Sequence, residues 1–140
     1  MAVNTQFLRR CIASLQFAHD ALSRMDSADP RYDIFRAACV KEFELIVELS
    51  GTLLRKHLRP FFPEDRKADR LVYKDVFRYA TKYSSLTTDA CERWLSYRDL
   101  RNDSAHDYGE DFAEAVMKEL QGIIEDASSL ANMIDEGANG

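Results

Sequence analysis

DPRYDIFRAACVKEFELIVELSGTLLRKHLRP, residues 29–60, reads as one long helix. Asp29 supplies a capping carboxylate, and Pro30 takes the first helical position, where a missing N–H costs nothing. Apolar residues then recur at helical spacing, with Cys39, Phe43, Ile46, Val47, Leu53 and Leu54 on one face. The pattern stops before Pro60, whose ring cannot continue it.

The flanking sequence reads the same way. Upstream, a helix is predicted from Asn4 or Thr5 to Met25, with Leu8, Cys11, Ile12, Leu15, Ala18, Leu22 and Met25 as its stripe. Residues 26–30, DSADP, break it. Downstream, 59–71 is the one long loop, where Pro60 and Pro63 bracket Phe61 and Phe62 and aromatic contacts are expected to pin it. A short helix follows over Tyr73–Tyr83, then a break with capping residues at 84–88. A fourth helix runs from Asp89 to Asn102 or somewhat beyond. Gly109 closes the next connection. A fifth helix runs from Asp111 to Ile134 on a stripe of Phe112, Ala115, Val116, Leu120, Ile123 and Ala127, and the tail 135–140 is expected to fray. Alternating strand patterns and Asn-Gly or Asp-Gly hairpin turns are absent. The fold class is therefore all-α, an up-and-down bundle of about five helices in a single domain over residues 1–140.

Composition agrees with a globular chain of ordinary domain size: 140 residues, 46% hydrophobic and 31% charged. Apolar runs are too short to span a bilayer, and the N-terminus lacks the basic start and apolar stretch of a signal peptide. Cys11, Cys39 and Cys91 are odd in number and scattered among apolar helical positions. They read as reduced, buried thiols, which implies a cytoplasmic setting. Net charge is −5, but residues 55–101 carry +5 and the remainder −10. A basic middle on an acidic chain can steer a polyanion to one face. Solvated helix faces and a charged loop explain the same split without any ligand.

The fourth helix breaks its own pattern. Trp94, Arg98, Arg101 and Ala105 form one stripe that begins apolar and then offers two arginines. Arginine on a core stripe is costly unless it is paired or lines a cleft. Arg98, Asn102 and His106 fall within one arc, with Arg101 about 60° to the other side of Arg98. Two guanidiniums, an amide and an imidazole thus gather near one helix end. Arginine holds phosphate oxygens in a fork, and histidine moves protons near neutral pH. The structural alternative pairs Arg98 and Arg101 with Asp99, Asp103 or Asp107 and makes His106 a helix-end group. Left with too few partners in a lone bundle, the arginines also suggest a two-fold contact. His19 shares the apolar face of the first helix and reads as a core histidine, whereas His57 lies in a basic helix end and reads as surface. Asp103, His106, Asp107 and Glu110 could share a face around a metal, but one histidine is few for a transition metal, and none is expected.

Arg101-Asn-Asp-Ser-Ala-His106-Asp-Tyr108 matches the R-x4-H-x-Y motif of HEPN proteins, in the form where Asn follows Arg. With Phe43-Glu44-Leu45, Lys74-Asp75-Val76 and Trp94 seven residues before Arg101, residues 5–134 resemble the minimal HEPN family. Its members include HepT-like toxins and have long been described as nucleotidyltransferase substrate-binding proteins. The resemblance implies a helical bundle that forms a homodimer, with both motifs facing a shared cleft. It implies a metal-independent endoribonuclease with no cofactor, acting on RNA and not DNA, away from membranes. It implies a cognate MNT-type nucleotidyltransferase antitoxin able to transfer AMP to the motif tyrosine. Arg101 and His106 are then the catalytic pair, Asn102 a polar supporter and Tyr108 the modified residue, while Arg98 joins on periodicity alone. Without the resemblance, Tyr108 reads as a ring packed on the bundle with its hydroxyl on a carboxylate. Asp103 and Asp107 would repel a phosphate unless they point away or pair. The alternative function is a non-catalytic partner that presents a substrate, or itself, to the nucleotidyltransferase.

Overall fold

The computed structural model describes residues 3–64, 67–103 and 109–139. Five α-helices follow in order: α1 Gln6–Ser23, α2 Pro30–Leu58, α3 Tyr73–Tyr83, α4 Thr88–Asp103 and α5 Glu110–Asn139. Two 3₁₀ turns, Arg59–Phe61 and Ala68–Arg70, lie between α2 and α3. No strand occurs among the described residues. No helix among them is long and apolar enough to cross a membrane.

The ends of α2 follow from its sequence. Asp29 accepts from the Arg31 N–H at 2.9 Å, with Pro30 in the first turn. Arg31 also holds the Asp29 carboxyl down to about 2. Cys39, Phe43, Ile46, Val47 and Leu54 are all fully buried, as the stripe requires. α2 is the axis of the bundle and packs on each of the other four helices. Its faces meet the stripes Leu8–Leu15 of α1 and Val116–Ile134 of α5 in one core. Cys11, Cys39 and Cys91 are free and buried, and burial raises the thiols of Cys11 and Cys39 to about 11.

The loop after α2 is pinned by its aromatics. Phe61 stacks on Tyr83 at 5.5 Å, and Phe62 packs edge-on to Tyr79 at 5.2 Å. The connection is long enough to carry the chain back along α2. Tyr73, which opens α3, reaches the Val47 carbonyl, and Ser84, which follows α3, meets His57. α3 therefore runs in the same direction as α2. Thr87 caps α4 by accepting from the Ala90 N–H at 3.1 Å.

Two expectations are corrected here. The tail expected to fray from Asp135 is instead assigned as a continuation of α5, which runs to Asn139. Asp135 accepts from the Thr5 hydroxyl at 2.9 Å and from Arg9 at 2.6 Å, so the end of α5 is held by the start of α1. His57 is half-buried rather than a surface group. Its Nε2 lies 2.9 Å from the Ser84 hydroxyl, and burial lowers its pKa. His19 sits half-buried on α1, at the edge of the core.

Candidate functional site

Trp94 anchors the site from below. It is fully buried, stacked on Phe77 at 5.2 Å and edge-on to Tyr97 at 5.4 Å. One turn further along α4 the stripe changes character. Arg98 and Arg101 both reach α2, where the Glu48 carboxylate receives Arg98 Nη1 and lies 3.1 Å from Arg101 Nε. The Arg98 guanidinium also covers the Tyr73 ring, 4.6 Å from its centroid. That ring is fixed by its hydroxyl, which donates to the Val47 carbonyl at 2.9 Å. Burial pushes the Tyr73 phenol well above its ordinary pKa, so it stays a neutral donor. Gly51 makes room for the ring, since a Cβ there would lie 2.4 Å from Tyr73 Cε2.

Of the acids expected beside the arginines, Asp107 lies outside the described residues. Glu48, from another helix, takes both guanidiniums, and Asp99 pairs instead with Lys74 at 2.8 Å. The idea that a lone bundle leaves these arginines short of partners does not hold, because Glu48 and the Tyr73 ring belong to the same chain. Sequence reasoning missed Glu48, Tyr73 and Gly51. A glycine in the middle of a long helix was the available signal for a close approach.

The side chains of Arg98 and Arg101 remain 24% and 31% exposed, so the pair is reachable from solvent. Asn102 and Asp103 are exposed on the last turn of α4. His106 and Tyr108, with the rest of 104–108, lie outside the described residues, as does Asp107 of the considered metal cluster. No group of three His, Cys, Asp or Glu residues suited to a metal occurs among the described ones.

α4 is locked to α5 by a second set of polar contacts. Asp126 accepts from Arg93 Nε at 2.9 Å and Nη2 at 2.8 Å, and from the Tyr97 hydroxyl at 2.7 Å. Beyond residue 108 the chain re-enters α5 at Glu110. There a cleft of about 540 Å³ opens between α2 and α5, lined by Arg36, Lys41, Glu44, Gly109, Glu110 and Phe112 among others. Arg36 faces Glu110 at 3.5 Å and Glu114 at 3.4 Å. A cleft of about 590 Å³ beside His57, Phe61 and Tyr83 lies at the far end of α5, roughly 40 Å away along the helix. It is no part of the arginine site.

The sequence profile of proteins described as nucleotidyltransferase substrate binding protein like matches residues 4–136. The chain belongs to this family. It is 24% identical over 102 residues to the probable ribonuclease HepT of Haemophilus influenzae, across 73% of this chain and 68% of that protein. Its fold is that of HI0074 from Haemophilus influenzae, whose structure is described as a substrate binding domain of a nucleotidyltransferase. The TM-score is 0.77 at 23% identity, over 94% of this chain and 99% of the other. A protein from Thermus thermophilus shares the fold with a TM-score of 0.67 at 21% identity, over 91% and 98% of the two chains. The minimal HEPN and HepT-like resemblance and the all-helical bundle stand on these findings, and the family is tied by its description to nucleotidyltransferases.

Proposed function

We propose that this chain is a single-domain, metal-independent endoribonuclease, the toxin of a pair whose antitoxin is a nucleotidyltransferase. The observation that carries the reading is the pair of part-exposed guanidiniums, Arg98 and Arg101, on the last turns of α4, leading directly into His106 and Tyr108. The similarity to a probable ribonuclease supports it. In this reading the RNA 2′-oxygen attacks the adjacent phosphorus and the bond to the 5′-oxygen breaks. His106 moves a proton, either from the 2′-hydroxyl or to the leaving oxygen. Arg101, with Arg98, balances the charge that grows on the phosphate, and Asn102 supports them. The product is a 2′,3′-cyclic phosphate and a 5′-hydroxyl.

The working unit is a homodimer with two sites across one cleft, as the family resemblance implies, and light scattering that gives a monomer at micromolar concentration would count against it. Tyr108 is the control point. The partner transfers AMP from ATP to its phenolic oxygen and releases pyrophosphate, leaving an anion that competes for the arginines. Mass spectrometry after incubation with the partner and ATP should place the added AMP on Tyr108, with loss of cleavage. Full inhibition of a Tyr108→Phe variant would mean the partner acts another way.

The deciding experiment incubates the purified chain with RNA in a chelator, beside His106→Ala and Arg101→Ala. Cyclic-phosphate ends from the wild type, lost in both variants with melting unchanged, support the reading. Cleavage that survives His106→Ala removes it. A non-catalytic binding partner is the second reading, and the carboxylate of Glu48 seated on both guanidiniums favours it. Under it, the chain binds nucleotide or RNA without cutting.

A further inference from the structure

A carboxylate beside a phosphate site is an electrostatic liability, yet Glu48 sits against both arginines. Its geometry explains why it is there. It meets Arg101 at Nε, the inner nitrogen of the guanidinium, at 3.1 Å. That Nε is fully buried, so the 31% exposure of the side chain lies on other atoms. The contact at Nε is an ion pair, which draws the Arg101 guanidinium onto α2 by charge while part of the side chain stays open to solvent. Arg98 is held twice, by Glu48 through Nη1 and by the Tyr73 ring at 4.6 Å. The ring hangs on the carbonyl of Val47, the residue before Glu48. One turn of α2 therefore sets both the carboxylate and the aromatic platform, and the two arginines of α4 are ordered before any ligand arrives. An arginine left to itself has many rotamers, and ordering it on binding costs free energy.

We infer that Glu48 is a positioning residue for phosphate recognition: it holds Arg98 and Arg101 in one geometry, at the cost of weaker attraction for the RNA. This rests on the ribonuclease reading of the site. Its signature is a split between binding and turnover. Removing the charge makes the site more attractive to a polyanion, while loosening the arginines misplaces the groups that balance the transition state. Misplacement of about 1 Å can cost on the order of 100-fold in rate.

The test is Glu48→Gln, which keeps shape and an acceptor oxygen but removes the charge, measured beside the wild type, His106→Ala and Arg98→Lys. The substrate is a short RNA, and a 2′-O-methyl version that cannot be cleaved reports affinity. Glu48→Gln should lower kcat at least tenfold, with KM and the dissociation constant of the 2′-O-methyl RNA unchanged or lower. Arg98→Lys, which keeps charge but loses the planar fork and its stacking on Tyr73, should also lower kcat more than it changes KM. Melting of Glu48→Gln should stay close to wild type, because half-exposed pairs contribute little to stability. Wild-type kcat in Glu48→Gln, or a loss of kcat that merely follows a lost melting transition, overturns the inference. If the wild type cleaves, His106→Ala does not, and Glu48→Gln matches the wild type, only this inference falls. If the wild type neither cleaves nor binds RNA, the ribonuclease reading falls and takes this inference with it.

Discussion

Gly51→Ala is a test in which two effects oppose each other and the geometry decides the sign. Gly51 lies inside α2, so alanine there gains about 1 kcal/mol of helix propensity. Against that, the new methyl would stand 2.4 Å from Tyr73 Cε2 and 2.6 Å from Cδ2. Carbon contacts settle near about 3.5–4.0 Å, so the ring must retreat by roughly 1 Å. Tyr73 cannot do so freely, because its hydroxyl is bonded to the Val47 carbonyl and its ring packs on Phe77 at 4.9 Å. Overpacking of this kind costs about 1–3 kcal/mol, and a weakened hydroxyl bond adds about 1. The net expectation is destabilisation of about 1–3 kcal/mol, read as a lower denaturant midpoint at constant slope. Arg98 loses its platform in the same step, so RNA cleavage should fall as well. In a Tyr73→Ala background the clash is absent, and the same glycine substitution should turn stabilising by about 1 kcal/mol. A Gly51→Ala protein that is more stable than wild type would refute the reasoning, since it would mean the ring moves at no cost.

Two further outcomes follow from contacts that hold the site in place. Asp126→Ala should destabilise by about 2–3 kcal/mol in denaturant unfolding, because it strands the buried Tyr97 hydroxyl, whereas Tyr97→Phe should cost only about 1; equal costs would mean that the acceptor is replaced by water. Acid should weaken the fold in two stages. The pKa of His57 is lowered by burial, so its contribution is complete above the ordinary imidazole range and is lost as pH falls through about 6.5. Asp29 and Asp135 have lowered pKa values, so theirs persists until pH drops below about 4. His57→Gln should flatten the first stage of a melting-temperature profile and leave the second, and an unchanged slope between about pH 7 and 5 would remove His57 as its source.

The helices were legible because their signals are local. Asp29 and Pro30 start α2, Pro60 ends its pattern, and period-3.6 stripes mark the buried faces. What sequence reading missed is tertiary. The tail from Asp135 was read as frayed because Thr5 and Arg9, 130 and 126 residues away, leave no local mark on it. The arginine stripe was legible as an anomaly, but its resolution lay on another helix. Nearby acids compete for such a pair in any one-dimensional reading, and Glu48 is 50 residues from Arg98. Asp126 is the instructive counter-case. It falls between Ile123 and Ala127 on the buried stripe of α5, and an acid there needs a cation and a donor. Its partners are Arg93 and Tyr97 of α4, the helix that carries the arginines. The same rule that flagged Arg98 and Arg101 would therefore have flagged Asp126, had it been applied to acids as well as bases. Both anomalies involve α4, whose arginines meet α2 on one side and whose Arg93 and Tyr97 meet Asp126 of α5 on the other. A helix with polar partners on two sides is held at a fixed rotation, and that rotation sets the face on which Arg98 and Arg101 meet Glu48.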